Sequence, residues 1–202
     1  MKHIGIFGGS FNPIHLGHIA LAEEVLRHTT LDEIWLMVSP QNPLKRQSHL
    51  LSDSQRLTLA RKALQGVKGI RASDFEFGLP RPSYTWATLE ALRAAYPDCR
   101  FSLIIGADNW EHFDRWHRAD DIKASYPLIV YPRRGAELPS AEDNPERPAD
   151  DGQGQPVDVT LLEDMKLFDV SSTEVRRRAM TGESLEGLVP GCIVDDVKEL
   201  YG

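Results

Sequence analysis

Apolar residues recur along this chain in two alternating rhythms. Short unbroken runs at His3 to Phe7, Glu33 to Val38, Phe101 to Ile105 and Leu128 to Tyr131 have the length and branched character of strands covered on both faces. Between them the apolar positions fall three or four apart. Ile19, Leu21, Ala22, Val25 and Leu26 mark one face of a helix over Leu16 to Arg27. Ser52 with Gln55 forms a capping-box pattern that opens a helix through Leu64. A third strand is predicted at Ile70 to Phe77, a turn at Gly78 to Pro82, and a helix capped by Ser83 through Ala95. A sixth strand is expected at Val157 to Leu162. Ser171 or Ser172 then caps a helix from Thr173 to Met180, and a last helix runs from about Asp195 to Leu200.

Strand and helix in alternation imply a parallel sheet with right-handed crossovers. The predicted fold class is α/β: a Rossmann-like, doubly wound parallel sheet with helices on both faces. It forms one domain over residues 1–202 with a small helical C-terminal part. Ligands of such sheets bind at the carboxyl ends of the strands. Gly8 to Asn12, Ser39 to Lys45, Gly106 to Asp108 and Pro132 to Arg134 each follow a predicted strand, so they should meet on one rim.

Composition changes this picture little. With 202 residues, 41% hydrophobic and 26% charged, the chain is an ordinary globule able to bury a core. Two distant cysteines, Cys99 and Cys192, fit a reducing cytoplasm and argue against a disulfide scaffold. No run of 18 apolar residues suggests a membrane span, and Ile4 to Phe7 is too short for a signal-peptide core. A net charge of −7 speaks against a general nucleic-acid binder. Against that acidic background stand Lys45-Arg46, Arg133-Arg134 and Arg176-Arg177-Arg178, which read as solvated surface or as holders of a small anion. One segment breaks the alternation: residues 135–158 carry four prolines, seven acidic residues, one arginine and no aromatic, and read as a mobile insertion loop. The sequence leaves the oligomeric state open, a homo-oligomer included.

The chemistry concentrates in Gly8-Gly9-Ser10-Phe11-Asn12-Pro13-Ile14-His15-Leu16-Gly17-His18. Gly8 and Gly9 admit positive φ and a close backbone approach. The helix that follows aims its free N–H groups and positive dipole end at the same place, a ready anion site. Gly17 leaves room for a ligand against that helix. His15 and His18, three apart, point the same way if the helix starts near them. No cysteine or carboxylate nearby completes a zinc set. The glycines match neither the G-x-G-x-x-G fingerprint nor a phosphate loop ending in Gly-Lys-Ser or Gly-Lys-Thr.

This stretch resembles the signature of the nucleotidyltransferase superfamily that carries a His-x-Gly-His motif, and its extended form is similar to nicotinate- or nicotinamide-nucleotide adenylyltransferases. Later residues agree: Asn42-Pro43-Leu44-Lys45 with the family's basic loop, and Ser83-Tyr84-Thr85 with its pyridine-recognition element. Gly106-Ala107-Asp108 with Trp116 resembles its Gly-Ala-Asp segment and stacking aromatic, and Ser171-Ser172-Thr173-Glu174-Val175-Arg176 its C-terminal element. The insertion after Arg134 is longer than the family's connection.

The resemblance implies transfer of the adenylyl group of ATP, with Mg2+, to nicotinate mononucleotide. His15, His18 and Arg176 would be catalytic, the imidazoles readily protonated beside phosphate and Arg176 gripping the β- or γ-phosphate. Gly8, Gly9, Ser10, Phe11, Gly106, Asp108, Arg133, Ser171 and Ser172 would bind ATP, Asp108 either accepting from a ribose hydroxyl or orienting its loop. Asn42, Lys45, Ser83, Tyr84, Thr85 and Trp116 would bind the mononucleotide, with no dedicated protein metal site. Trp110 and His112 take no role. Four alternatives stay open: the amide mononucleotide, another acceptor such as phosphopantetheine, a nucleotide sensor without catalysis, and a structural metal protein.

Overall fold

The computed structural model describes residues 1–40, 50–136, 138, 159–163, 165 and 168–202. Six parallel strands form one sheet: β1 (Lys2–Gly9), β2 (Glu33–Val38), β3 (Ile70–Ser73), β4 (Cys99–Gly106), β5 (Leu128–Tyr131) and β6 (Val159–Leu161). Their spatial order is β3-β2-β1-β4-β5-β6. The helices are α1 (Leu16–His28), α2 (Asp53–Ala63), α3 (Thr85–Ala95), α4 (Ala107–Trp110), α5 (Ala119–Ser125), α6 (Ser172–Thr181) and α7 (Val194–Tyr201).

The unbroken apolar strands are explained by a core on each face, because successive side chains point to opposite sides. Along β2, Ile34, Leu36 and Val38 enter one core with α1, α2, α6 and α7, while Trp35 and Met37 enter the other with α3 and α5. Phe7, Ile104 and Ile129 join the first core; Ile6, Leu103, Ile105 and Val130 join the second. The doubly wound expectation therefore holds. Winding reverses between the neighbours β1 and β4, which opens a crevice at their carboxyl ends.

Three local expectations change. The third strand stops at Ser73, where Phe75 N–H turns back to Ser73 Oγ (3.3 Å) and Phe75–Gly78 winds as a 3₁₀ turn. Ser83 does not cap α3, whose N-cap residue is Tyr84 with no side-chain bond to the helix end. Short helices α4 and α5, of 4 and 7 residues, lie between β4 and β5, where no element was predicted, and are too brief to show a helical period. Of the acidic insertion, Gly135, Ala136 and Leu138 are described, and Ala136 bridges Arg133; the rest, and its expected mobility, lies outside the described residues.

Candidate active site

The turn after β1 is built differently from its glycine-led expectation. Gly8 and Gly9 continue the strand, paired with Met37 and Val38, and neither takes positive φ. The left-handed residue is Phe11, at φ 45°. A non-glycine residue there costs on the order of 1–3 kcal/mol, so the surroundings must hold it. They do: the Phe11 ring is buried, edge-on to Phe7 at 5.9 Å and to His18 at 4.9 Å. The fully buried Arg56 donates to the carbonyls of Ser10, Ser39 (2.9 Å) and Leu51 (3.2 Å) and pairs with Asp53 at 2.6 Å. One guanidinium thus ties the ends of β1 and β2 to the start of α2.

His15 stands at the N-cap of α1, with His18 one turn in. Their rings stack at 3.6 Å between centroids, inclined by 25°, so the shared direction expected from the spacing is realised. His15 N–H donates to His18 Nδ1 (3.2 Å), which makes Nδ1 an acceptor and puts the His18 proton on Nε2. Gly17 makes room, but for the chain itself: a Cβ there would lie 3.0 Å from His15 Nδ1 and 3.4 Å from Val170. The space expected for a ligand is filled by the imidazole. His15 Nδ1 is buried without a hydrogen-bond partner among the described residues.

Burial, and secondarily the Arg133 guanidinium, bring the His15 pKa down to about 4. Burial, His15 and Arg133 hold His18 well below its ordinary value. Both imidazoles are neutral at pH 7 in the free chain, and the protonation expected beside phosphate depends on the anion. An anion is what would reverse this.

The N-terminus of α6 closes the turn from below. Ser171 caps the helix, accepting from Glu174 N–H at 3.2 Å. Ser172 Oγ donates to the Pro13 carbonyl (2.9 Å), and Arg176 Nη1 donates to the Asn12 carbonyl (2.7 Å). Of the expected basic cluster only Arg176 turns this way. Arg177 and Arg178 pair with Glu174 and Glu183 on the outer face, and Arg134 pairs with Asp169.

Across the crevice, β4 ends at Gly106. A Cβ there would meet Asp108 Oδ1 at 2.4 Å and Arg133 Cγ at 2.9 Å, so any larger residue would force both side chains to shift. Asp108 Oδ1 faces Arg133 Nε at 3.4 Å and makes no hydrogen bond among the described residues. Between the rims lies a cleft of about 230 Å³, lined among others by Gly8, Gly9, Glu76, Thr85, Gly106 and Trp116. Ser83 and Tyr84 do not line it; Tyr84 is exposed and packs on His117 at 4.6 Å. Asn42 and Lys45 lie outside the described residues. Trp110 stacks on Phe113 at 5.7 Å in the second core, and His112 is exposed.

The model of the cytidylyltransferase-like family matches residues 6–178. The chain belongs to that family. Among its relatives, a protein of Bacteroides fragilis is 43% identical over 90% of this chain and 84% of its own length. One of Bacteroides thetaiotaomicron is 46% identical over 86% and 79%. Both bear the name probable nicotinate-nucleotide adenylyltransferase. The fold is that of the nicotinic acid mononucleotide adenylyltransferase of Plasmodium falciparum complexed with NaAD. The TM-score is 0.75 at 16% identity, over 98% of this chain and 96% of that one.

Of the expected site residues, Gly8, Gly9, Gly106, Thr85 and Trp116 line the cleft. His18 packs on the lining residue Phe7 and stacks on His15, Asp108 faces Arg133 beside Gly106, and Arg176 holds the turn at Asn12, but these five do not themselves line it. Sequence reasoning missed Arg56 and Glu76. Arg56 lay unnoticed in an amphipathic helix. Glu76 lay in a segment expected to be strand; it is buried in the cleft wall, accepts from Thr88 Oγ1 at 2.8 Å, and its pKa is raised by burial.

Proposed function

We propose that this chain transfers the adenylyl group of ATP to nicotinate mononucleotide, giving deamido-NAD and pyrophosphate. The observation that carries the reading is the stacked His15–His18 pair at the start of α1, beside a cleft that runs to Thr85 and Trp116. A phosphate oxygen of the mononucleotide attacks the α-phosphorus of ATP in line. The new P–O bond forms as the bond to the β-phosphate oxygen breaks, and its electrons leave with pyrophosphate. Such a step needs positioning and charge neutralisation more than a covalent nucleophile.

The residues divide accordingly. His18 Nε2–H donates to the reacting phosphate, and the Ser10 and Phe11 amides with the α1 dipole hold the same anion. Arg176, already at the loop, offers its remaining N–H groups to the outer phosphates, beside Ser171 and Ser172. Arg133 adds charge, and Asp108 accepts from a ribose hydroxyl. Trp116 stacks on the pyridine, and the Thr85 amide at the N-terminus of α3 meets its carboxylate; Asn42 and Lys45 serve the mononucleotide phosphate. No cluster of three metal-ligating side chains occurs among the described residues. The donor set suits magnesium carried by the ATP phosphates and waters, with Asp108, whose Oδ1 faces Arg133 Nε without a hydrogen bond, as a protein carboxylate near them. Bound there, the ion would neutralise charge on the departing pyrophosphate.

The test is product analysis with ATP, Mg2+ and nicotinate mononucleotide, for wild type and His18→Ala. Wild type should form deamido-NAD. The variant, still folded, should lose on the order of 10²- to 10³-fold in rate. Near-normal turnover in the variant would remove His18 from the mechanism.

A further inference from the structure

The turn that holds the anion is gripped from behind by the C-terminal helices, at three points on two adjacent residues. Ser172 donates to the Pro13 carbonyl and Arg176 to the Asn12 carbonyl. The third grip comes from the penultimate residue of the chain: Tyr201 O–H donates to Asn12 Oδ1. The same Asn12 oxygen also accepts from Leu51 N–H at 3.2 Å, at the entry to α2. Asn12 is only 3% exposed. Its side-chain oxygen is therefore turned inward as a junction between the turn, α2 and α7, and away from the cleft.

The geometry points to Tyr201 as a positioning residue for adenylyl transfer, acting through Asn12 to fix the Ser10–Asn12 turn against the reacting phosphates. Burial pushes the Tyr201 phenol up, so it stays a donor at all working pH values. Its ring is half-buried against the first core, and α7 is anchored separately through the buried Val197 and Ile193. Removing the hydroxyl alone should leave α7 in place and loosen only the turn. Phe11 has a left-handed backbone next to that junction, so a small release there moves the amides that hold the anion.

This inference rests on the proposed reading that the turn binds ATP phosphates. It is tested with Tyr201→Phe in the full chain. The expected result is a fall in kcat of about three- to tenfold, a KM for the mononucleotide within about twofold of wild type, and a thermal midpoint shifted by no more than about 4 °C. A hydroxyl with only a structural role would lower the midpoint and leave kcat per folded molecule unchanged, and that outcome overturns the proposal. A second measurement isolates the path. On an Asn12→Leu background, which removes the acceptor, Tyr201→Phe should cost nothing further. An equal loss on both backgrounds overturns the proposal. Should wild type itself release no pyrophosphate, the proposed function falls first. The brace is then read from ATP binding by calorimetry: weaker binding in Tyr201→Phe upholds it, and equal binding rejects it.

Discussion

Lowering the pH from 7 to 4.5 should destabilise this protein through its paired histidines. His15 has a pKa near 4 in the folded chain, against about 6.5 in an unfolded one. The unfolded state therefore binds more protons throughout that window, and stability must rise with pH across it. The contribution levels off above about pH 6.5, where both states are neutral, and the full penalty is reached below about pH 4. For His15 alone the linkage gives roughly 2 to 3 kcal/mol lost between pH 7 and 4.5. His18, lowered for the same first reason, adds loss in the same direction. The control is His15→Asn, since asparagine is a good N-cap and does not titrate in this range. Urea unfolding at half-unit pH steps would give the slope for both proteins. The wild-type curve should fall more steeply by the stated amount, and parallel curves would refute the assignment of a buried neutral imidazole. The same shift makes anion binding proton-linked: calorimetry of ATP binding at pH 7 should show proton uptake in wild type and less of it in His15→Asn.

Other perturbations follow from single contacts. Gly106→Ala places a methyl 2.4 Å from Asp108 Oδ1, and should lower kcat/KM for ATP by on the order of tenfold to a hundredfold while the chain stays folded; unchanged ATP kinetics would show the rim to be pliable. Arg56→Met strands three carbonyls and removes one of the partners of Asp53, which keeps Arg81, and should cost about 3 kcal/mol or more in denaturant unfolding. A cost under about 1 kcal/mol would mean that water replaces the guanidinium. Glu76 has a raised pKa, so its burial penalises folding increasingly as pH rises past the ordinary carboxylate range. Glu76→Gln keeps an acceptor for Thr88 and should leave stability at pH 7 equal or higher, whereas a loss above about 2 kcal/mol would show the anion itself to be stabilising.

Strands such as Phe101 to Ile105 were legible because they are short, apolar throughout and followed by glycine, whereas the end of β3 was missed because neither glycine nor proline follows Ser73. Their order was not, since nothing local states that β1 lies beside β4. The histidine pair was legible for a geometric reason: a separation of three on a helix leaves the rings little choice but to meet. Its charge state was not, because burial depends on Phe7, Phe11 and Arg133, which arrive from other segments. Gly8 and Gly9 suggested positive φ, but strand pairing took them and passed the turn to Phe11. Arg176 and Tyr84 illustrate the remaining difference. Both sit in recognisable motifs, yet helix phase turns Arg176 to the loop, while the extended N-cap backbone before α3 leaves Tyr84 out in solvent. Arg56 had no signal at all, because its partners are backbone carbonyls, which every residue has.

The central claim is the acceptor. Pyrophosphate release from ATP and Mg2+ should be measured with nicotinate mononucleotide and with nicotinamide mononucleotide in parallel. The account predicts strong turnover with the acid, the Thr85 amide at the start of α3 being suited to a carboxylate. No turnover with the acid, under conditions where the chain is folded and binds ATP, would contradict it.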